Sequence, residues 1–273
     1  MTRLVTAAWM LMVAAATAVS PAQATDLDCL IQPRETVTVA TPVEGILDQV
    51  RVDRGSVVER GEVLAVLESS VERHAVAIAA LVAEQESEVK SNEVRVSFGL
   101  RRFERTDEMF KKNLVPLKEL DEAETAKILA EHDLVAAREK RALARLEYER
   151  AKAALELRTI RSPVSGVVVE RYRHAGELAA RDYPIVKLAQ LHPLRAEAFA
   201  PIAVLGKITV GQHAVVVPEA PLSRPLEASV IVVDPIVDAA SGTFTIRLEM
   251  PNPGNRIPAG LKCKVRFVNS RTP

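Results

Sequence analysis

The sequence predicts an elongated α+β protein in which a long antiparallel helical hairpin is inserted into a split β-sandwich, with a small antiparallel β-barrel behind it. Three observations lead to this fold. A half-motif occurs twice, the segment between the two copies carries heptads, and the last third of the chain alternates short β-branched runs with turn residues. Since neither copy is large enough to bury its own apolar face, the two should pack together.

The half-motif occupies residues 41–69 and returns, 121 residues later, within residues 159–191. Each copy has a Pro-x-x-Gly turn ahead of a β-branched strand, and a further glycine ten residues after the first. That later glycine falls where a turn needs a positive φ, which glycine adopts without strain. The turn residues of the two copies are Pro42, Gly45, Gly55, Pro163, Gly166 and Gly176.

Residues 70–158 must leave this sandwich and return to it, and their heptads indicate two coiled-coil arms. Apolar residues recur every seven positions in the outgoing arm at Ala75, Val82, Val89, Val96, Phe103 and Phe110. The returning arm repeats alanine at Ala123, Ala130, Ala137, Ala144 and Ala151, interleaved with Leu120, Leu134, Tyr148 and Leu155. Small residues opposite bulky ones allow close approach, and each arm would be about 60 Å long at the usual helical rise.

The two arms are joined by the short stretch from Lys112 to Pro116. Asn113 can end the first helix in the left-handed conformation, and Pro116 suits the first turn of the next helix. Proline also disfavours helix at the residue before it, Val115. The sequence therefore predicts a tight tip between the arms.

The last third, residues 192–273, alternates predicted strands with clusters of turn residues, as expected of a small barrel. The predicted strands include Ala214–Val217, Ser229–Val233, Thr243–Glu249 and Lys262–Val268. Residues 25–40, ahead of the first half-motif, would add an N-terminal strand to this barrel.

Residues 1–24 have the form of a secretory signal peptide: a basic start, an apolar run and a small-x-small site ending at Ala24. We expect cleavage there, and the alternative is a retained signal anchor. In an exported protein, the even number of cysteines favours a disulfide between Cys29 and Cys263, which would tie the first strand to the last. Two buried free thiols are the alternative.

The segments TPVEGILDQVRVDRGSVVERGEVLAVLES, IRSPVSGVV and VDPIVDAASGTFTIRLEMPNPGNRIPAGLKCKVRF resemble the periplasmic adaptor family, the HlyD-like membrane fusion proteins. The resemblance implies a lipoyl-like sandwich, a hairpin and a barrel. It also implies a periplasmic protein, peripheral to the inner membrane through its partners, that bridges an inner-membrane RND-type transporter and an outer-membrane channel. The resemblance further implies that the chain self-associates into a ring of about six adaptors.

At the hairpin tip, the family carries an Arg, a Leu four residues later and a Ser past the turn, which dock on the channel. Arg105 matches the Arg, Met109 replaces the Leu, and Pro116 stands where the Ser would be. The resemblance thus implies a docking tip at Arg105, Met109, Asn113, Leu114, Val115 and Pro116.

Several other functions are disfavoured by the sequence. Charge is balanced, with 36 basic and 36 acidic residues, so we expect no nucleic-acid partner. The five histidines are scattered, and we expect no enzyme activity, metal or cofactor. A lipoyl or biotinyl carrier would need an attachment lysine near Ser69, but no lysine occurs between Arg60 and Lys90. The sequence would also fit a type I secretion adaptor or a periplasmic scaffold without a pump.

Overall fold

The computed structural model describes residues 26–268, which form twelve β-strands and three α-helices. The predicted signal peptide, residues 1–24, lies outside the described residues. The strands are β1 (Leu27–Val39), β2 (Gly45–Val50), β3 (Val57–Val58), β4 (Val63–Leu67), β5 (Thr159–Arg161), β6 (Gly166–Arg171), β7 (Leu178–Ala179), β8 (Val186–Pro201), β9 (His213–Pro218), β10 (Leu226–Asp238), β11 (Thr243–Met250) and β12 (Lys262–Phe267). The helices are α1 (Ser70–Glu84), α2 (Ser87–Lys111) and α3 (Leu117–Glu156).

The chain divides into two compact units. One contains Pro33–His192, with both half-motifs and all three helices. The other contains the described residues up to Gln32 together with those from Pro193 onward. Strands β1 and β8 each contribute residues to both units, so the division falls within strands rather than in linkers.

The first unit contains the predicted sandwich, and its two sheets exchange strands between the half-motifs. One sheet has the order β5-β4-β2-β7, and in the other β3 pairs with β6, β6 with β8 and β8 with β1. Gly176 N–H donates to the Leu47 carbonyl (2.7 Å), and Gly55 N–H donates to the Val168 carbonyl (2.9 Å). Gly176 lies 121 residues after Gly55, and Val168 lies 121 residues after Leu47. The two hydrogen bonds therefore connect equivalent positions, with the roles of the two copies exchanged. The copies are therefore related by a pseudo-twofold, and the prediction that they share one sandwich is confirmed.

The core of this sandwich repeats the same relation. Nearly every core residue has a partner at the equivalent position of the other copy, as in the pairs Val39 and Ile160, Leu47 and Val168, Val58 and Ala179, Leu64 and Ile185, Ala65 and Val186, and Leu67 and Leu188. Each copy supplies about half of these core residues, which explains why the two must fold together.

The helical hairpin confirms the predicted seam of α3. All of its alanine and interleaved positions are buried or half-buried, with Ala123 and Ala137 the most buried. In α2, the predicted Val89 is also buried, and so is Asn92. Gly99, which was not among the predicted seam positions, is buried too. An added Cβ there would lie 3.3 Å from the Lys127 Cα, so the two helices approach closely at this glycine.

The predicted seam is wrong in α1. Ala75 and Val82 are exposed, whereas Ala83 is buried, so the buried stripe lies one residue later than predicted. The cause is a break in the outgoing arm: Gln85 has an extended ψ of 118°, and the helix starts again at Ser87. Because the backbone leaves the helical conformation at this break, the heptad count in α2 does not predict which residues of α1 face α3. Arg141 of α3 forms an ion pair with Glu86 there.

The second unit is a sheet with the order β1-β12-β9-β10-β11-β8. Strand β11 alternates strictly between buried and half-buried residues, as expected when one face packs on a core. Strand β10 continues past the predicted end at Val233, because a register shift between Val233 and Val237 accommodates Pro235.

Candidate functional site

The tip of the hairpin is closed by backbone hydrogen bonds that expose two apolar side chains. Asn113 adopts the left-handed conformation (φ 57°) that its residue type predicts. Its N–H donates to the Phe110 carbonyl (2.8 Å), and Leu114 N–H donates to the Met109 carbonyl (2.9 Å). This is a complete Schellman motif, which satisfies the last carbonyls of α2. Leu114 is 67% exposed and Met109 44% exposed, so apolar surface faces solvent at the turn.

Helix α3, which begins the returning arm, starts one residue later than the sequence suggests. Pro116 is the N-cap of α3, with extended backbone (ψ 156°), rather than a residue of its first turn. Its carbonyl still accepts a hydrogen bond from Glu119 N–H (3.0 Å), so it begins the helical ladder without lying in the helix. Val115, just before it, is half-buried.

Arg105 lies on α2, less than two turns before the helix ends at Lys111, and its guanidinium is exposed. The Arg105 Nε atom donates to the Arg101 carbonyl of its own helix (3.2 Å). Within residues 26–268 it forms no ion pair. In contrast, Lys111 Nζ donates to the Asp107 carboxylate (2.6 Å), and this hydrogen bond raises the pKa of Lys111. The tip thus presents an uncompensated guanidinium beside exposed apolar side chains, a combination suited to binding another protein.

Arg158 secures the base of the hairpin and was not predicted. Its Nη2 atom lies 2.5 Å from the Glu72 carboxylate of α1, and its Nη1 atom donates to the Glu44 carbonyl (3.0 Å). Both side chains of the ion pair are mostly buried. One residue therefore ties α1, the end of α3 and the first half-motif. Its only sequence signal is a basic residue just after the last heptad.

The predicted turn glycines occupy equivalent places in the two copies. Gly45 and Gly166 begin β2 and β6, and Gly55 and Gly176 have φ of 88° and 87°. A Cβ on Gly166 would lie 2.3 Å from the Ala189 carbonyl oxygen, so glycine is needed there for close approach of two backbones.

Cys29 and Cys263 form a disulfide across β1 and β12, where they face each other directly. Both are buried. Asp26, just ahead of β1, also forms an ion pair with Arg266 of β12 (2.9 Å), and the Arg266 hydrogen bond lowers the pKa of Asp26. Covalent and ionic contacts thus hold the first described strand to the last.

No group of three or more His, Cys, Asp or Glu side chains between residues 26 and 268 is placed to hold a metal ion. In the same range, no helix combines the length and apolarity needed to cross a bilayer.

Comparison with known families agrees with this architecture. The model of the CzcB-like, barrel-sandwich hybrid domain matches residues 35–190, more than half of the chain. The chain belongs to this family. The model of the CusB-like beta-barrel domain matches residues 196–271, and the resemblance to periplasmic adaptors is confirmed.

Individual relatives of this CzcB-like protein are distant. An uncharacterized protein of Haemophilus influenzae is 23% identical over 240 residues, and the match covers 88% of this chain but 56% of that protein. MacA of Actinobacillus actinomycetemcomitans is 19% identical with a TM-score of 0.73, over 89% of this chain and 78% of that one. The membrane fusion protein Spr0693 of Streptococcus pneumoniae R6 is 15% identical with a TM-score of 0.61, over 89% and 98% of the two chains. The solved structures share the fold.

Proposed function

We propose that this CzcB-like protein is a non-catalytic periplasmic adaptor that links an inner-membrane RND-type transporter to an outer-membrane channel. In this proposal, residues 1–24 direct export, and the mature chain is peripheral to the inner membrane through its partners. Copies of the chain would assemble into a closed ring of about six. The protein would position two membrane proteins and would lower no chemical barrier.

The observation that carries the proposal is the hairpin tip. A 40-residue helix and its two-helix partner arm place a hydrogen-bonded turn at their far end, with Arg105, Met109 and Leu114 exposed. Methionine and arginine are enriched in protein interfaces, and an arginine without an ion-pair partner beside exposed apolar side chains has the composition of a binding surface. Membership of the adaptor family supports the same role for the tip.

Reversing the charge of Arg105 tests this role. Arg105→Asp should reduce export of a dye and drug panel in the native host at least about tenfold, because a buried interface charge that loses its partner costs several kcal/mol. The circular dichroism spectrum and melting temperature should be unchanged, since the Arg105 guanidinium is exposed. A photocrosslinker at Leu114 should in parallel capture an outer-membrane protein.

Arg145→Asp provides the matched control, because Arg145 is also an exposed arginine of the hairpin but lies far from the tip along α3. It should leave export unchanged. Wild-type export by Arg105→Asp, or no crosslink from Leu114 to any outer-membrane protein, would contradict tip docking.

A further inference from the structure

One flank of α2 carries an exposed stripe that combines two arginines with a phenylalanine. Arg95, Phe98 and Arg102 are spaced three and four residues apart, so they lie along one side of the helix. Phe98 is 55% exposed. With Ala126 of α3, these residues line an open groove of about 420 Å³. We call Arg95, Phe98 and Arg102 the basic stripe.

The opposite flank of the hairpin carries a stripe of inverse charge on α3. Glu124, Ile128 and Glu131 have the same spacing, and Ile128 is 41% exposed. On α3, the buried Ala123 and the half-buried Lys127 face α2 and separate the two flanks of the helix. Ala126 lies on the flank that faces the basic stripe, and these three residues lie on the other flank. We call Glu124, Ile128 and Glu131 the acidic stripe.

The charges of both stripes lack ion-pair partners within the described chain. Arg95 donates only to the amide oxygen of Asn92 on its own helix (3.3 Å). Nearer the base, by contrast, charged residues of the two arms pair across the hairpin, as Glu93 does with Arg138 (3.0 Å) and Glu88 with Lys140 (2.7 Å). The distal charges are therefore available to another molecule.

The two stripes lie at matching heights along the hairpin. Gly99 of α2 lies directly against Lys127 of α3. Because antiparallel helices advance equally in opposite directions, moving three residues towards the tip from each reaches Arg102 on α2 and Glu124 on α3. By the same count, Phe98 is level with Ile128, and Arg95 is level with Glu131.

We propose that the partner of each stripe is a second copy of this chain, which stands beside the first in the same direction and lays its acidic stripe on the basic stripe. The contacts would be Arg95 with Glu131, Phe98 with Ile128, and Arg102 with Glu124 of the neighbour. This inference rests on the proposed ring and assigns its hairpin contact. Because the stripes lie on opposite flanks, the contact is heterologous and repeats until the ring closes. Like charges exclude pairing of two basic or two acidic stripes.

Charge reversal tests the assignment on the purified mature protein. Arg102→Glu alone and Glu124→Arg alone should each weaken association about tenfold per interface, because each places like charges together. Combining the two substitutions in one chain should restore association, since opposite charges meet again at every interface. Sedimentation velocity over a concentration series measures this, and Arg145→Glu should leave association unchanged.

A covalent test uses Phe98→Cys mixed with Ile128→Cys, since the two native cysteines already form a disulfide. Oxidation should give dimers from the mixture and far fewer from either variant alone. If association is unchanged in both single charge reversals, or if the double reversal associates no better than the single ones, the stripes are not the contact between neighbours. The proposed ring itself would not be contradicted by that result. A wild-type chain that stays monomeric at its solubility limit would contradict both the stripe contact and the ring. Tip docking is tested separately by Arg105→Asp.

Discussion

The two copies of the half-motif have similar backbone conformations but differ in the residues that surround them. Gly45 and Gly166 are equivalent, yet an added Cβ would meet the flexible end of Arg158 at the first (2.8 Å) and the Ala189 backbone at the second (2.3 Å). After Leu67 the first copy leads into α1, whereas after Leu188 the second continues along β8 into the other unit. The same sequence signature is thus kept for different physical reasons.

This comparison separates two kinds of constraint. Positions occupied alike in both copies serve the shared core and the turns, such as the buried Leu67 and Leu188. Positions that differ serve the attached element: Arg158, at the end of α3, has its equivalent in Val37 at the end of β1. Val37 packs against the core, while Arg158 holds the hairpin.

The largest expected effect tests whether the two copies contribute equally to the shared core. Leu67→Ala and Leu188→Ala should each lower the free energy of unfolding by about 3 kcal/mol, because both side chains are fully buried in one shared core. Denaturant unfolding followed by circular dichroism measures this. Leu157→Ala is the control: Leu157 is 46% exposed, and the change should cost no more than about 0.5 kcal/mol. Costs for Leu67 and Leu188 that differ more than twofold would contradict an equal division of the core.

The next effect separates the two equivalent glycines. Gly166→Ala should cost about 2 kcal/mol, because the Ala189 carbonyl belongs to the backbone and can move only if β6 and β8 separate. Gly45→Ala should cost about 1 kcal/mol, since the Arg158 side chain can move aside at the expense of its hydrogen bond to Glu44. Equal costs would show that the two turns are constrained alike.

The sequence predicts the sandwich and α3 well because both follow a regular period. The half-motif repeats without a gap, so equivalent residues can be aligned by counting. The alanines of α3 keep their phase because nothing interrupts that helix from Leu117 to Glu156. Asn113 at the tip was predictable for a local reason, because it is one of the residue types that tolerate positive φ.

Features without a local signal were missed. The break at Gln85 lies among residues that favour helix, so the heptads were carried through it and the stripe of α1 was misplaced. Arg158 acts through a contact with Glu72, which is far away in the chain, and no period reveals that contact. The docking residues follow from family resemblance, since exposure at the tip does not by itself name a partner.

The smallest effect is a coupling that tests whether Arg158 alone makes the two copies unequal. Arg158→Met keeps an unbranched apolar stem but removes the ion pair with Glu72 and the hydrogen bond to Glu44, which should cost about 2 kcal/mol because Glu72 stays mostly buried without its partner. In that background, Gly45→Ala should become nearly neutral, because the charged group that gives way to the new Cβ is gone and its hydrogen bond is already lost. The two changes should therefore be coupled by about 1 kcal/mol in a double-mutant cycle.

Gly166→Ala supplies the matched cycle, and it should add to Arg158→Met without coupling, since its obstacle is the Ala189 backbone. Coupling of similar size in both cycles would mean that Arg158 stabilises the whole sandwich rather than one turn, and the difference between the copies would then need another cause.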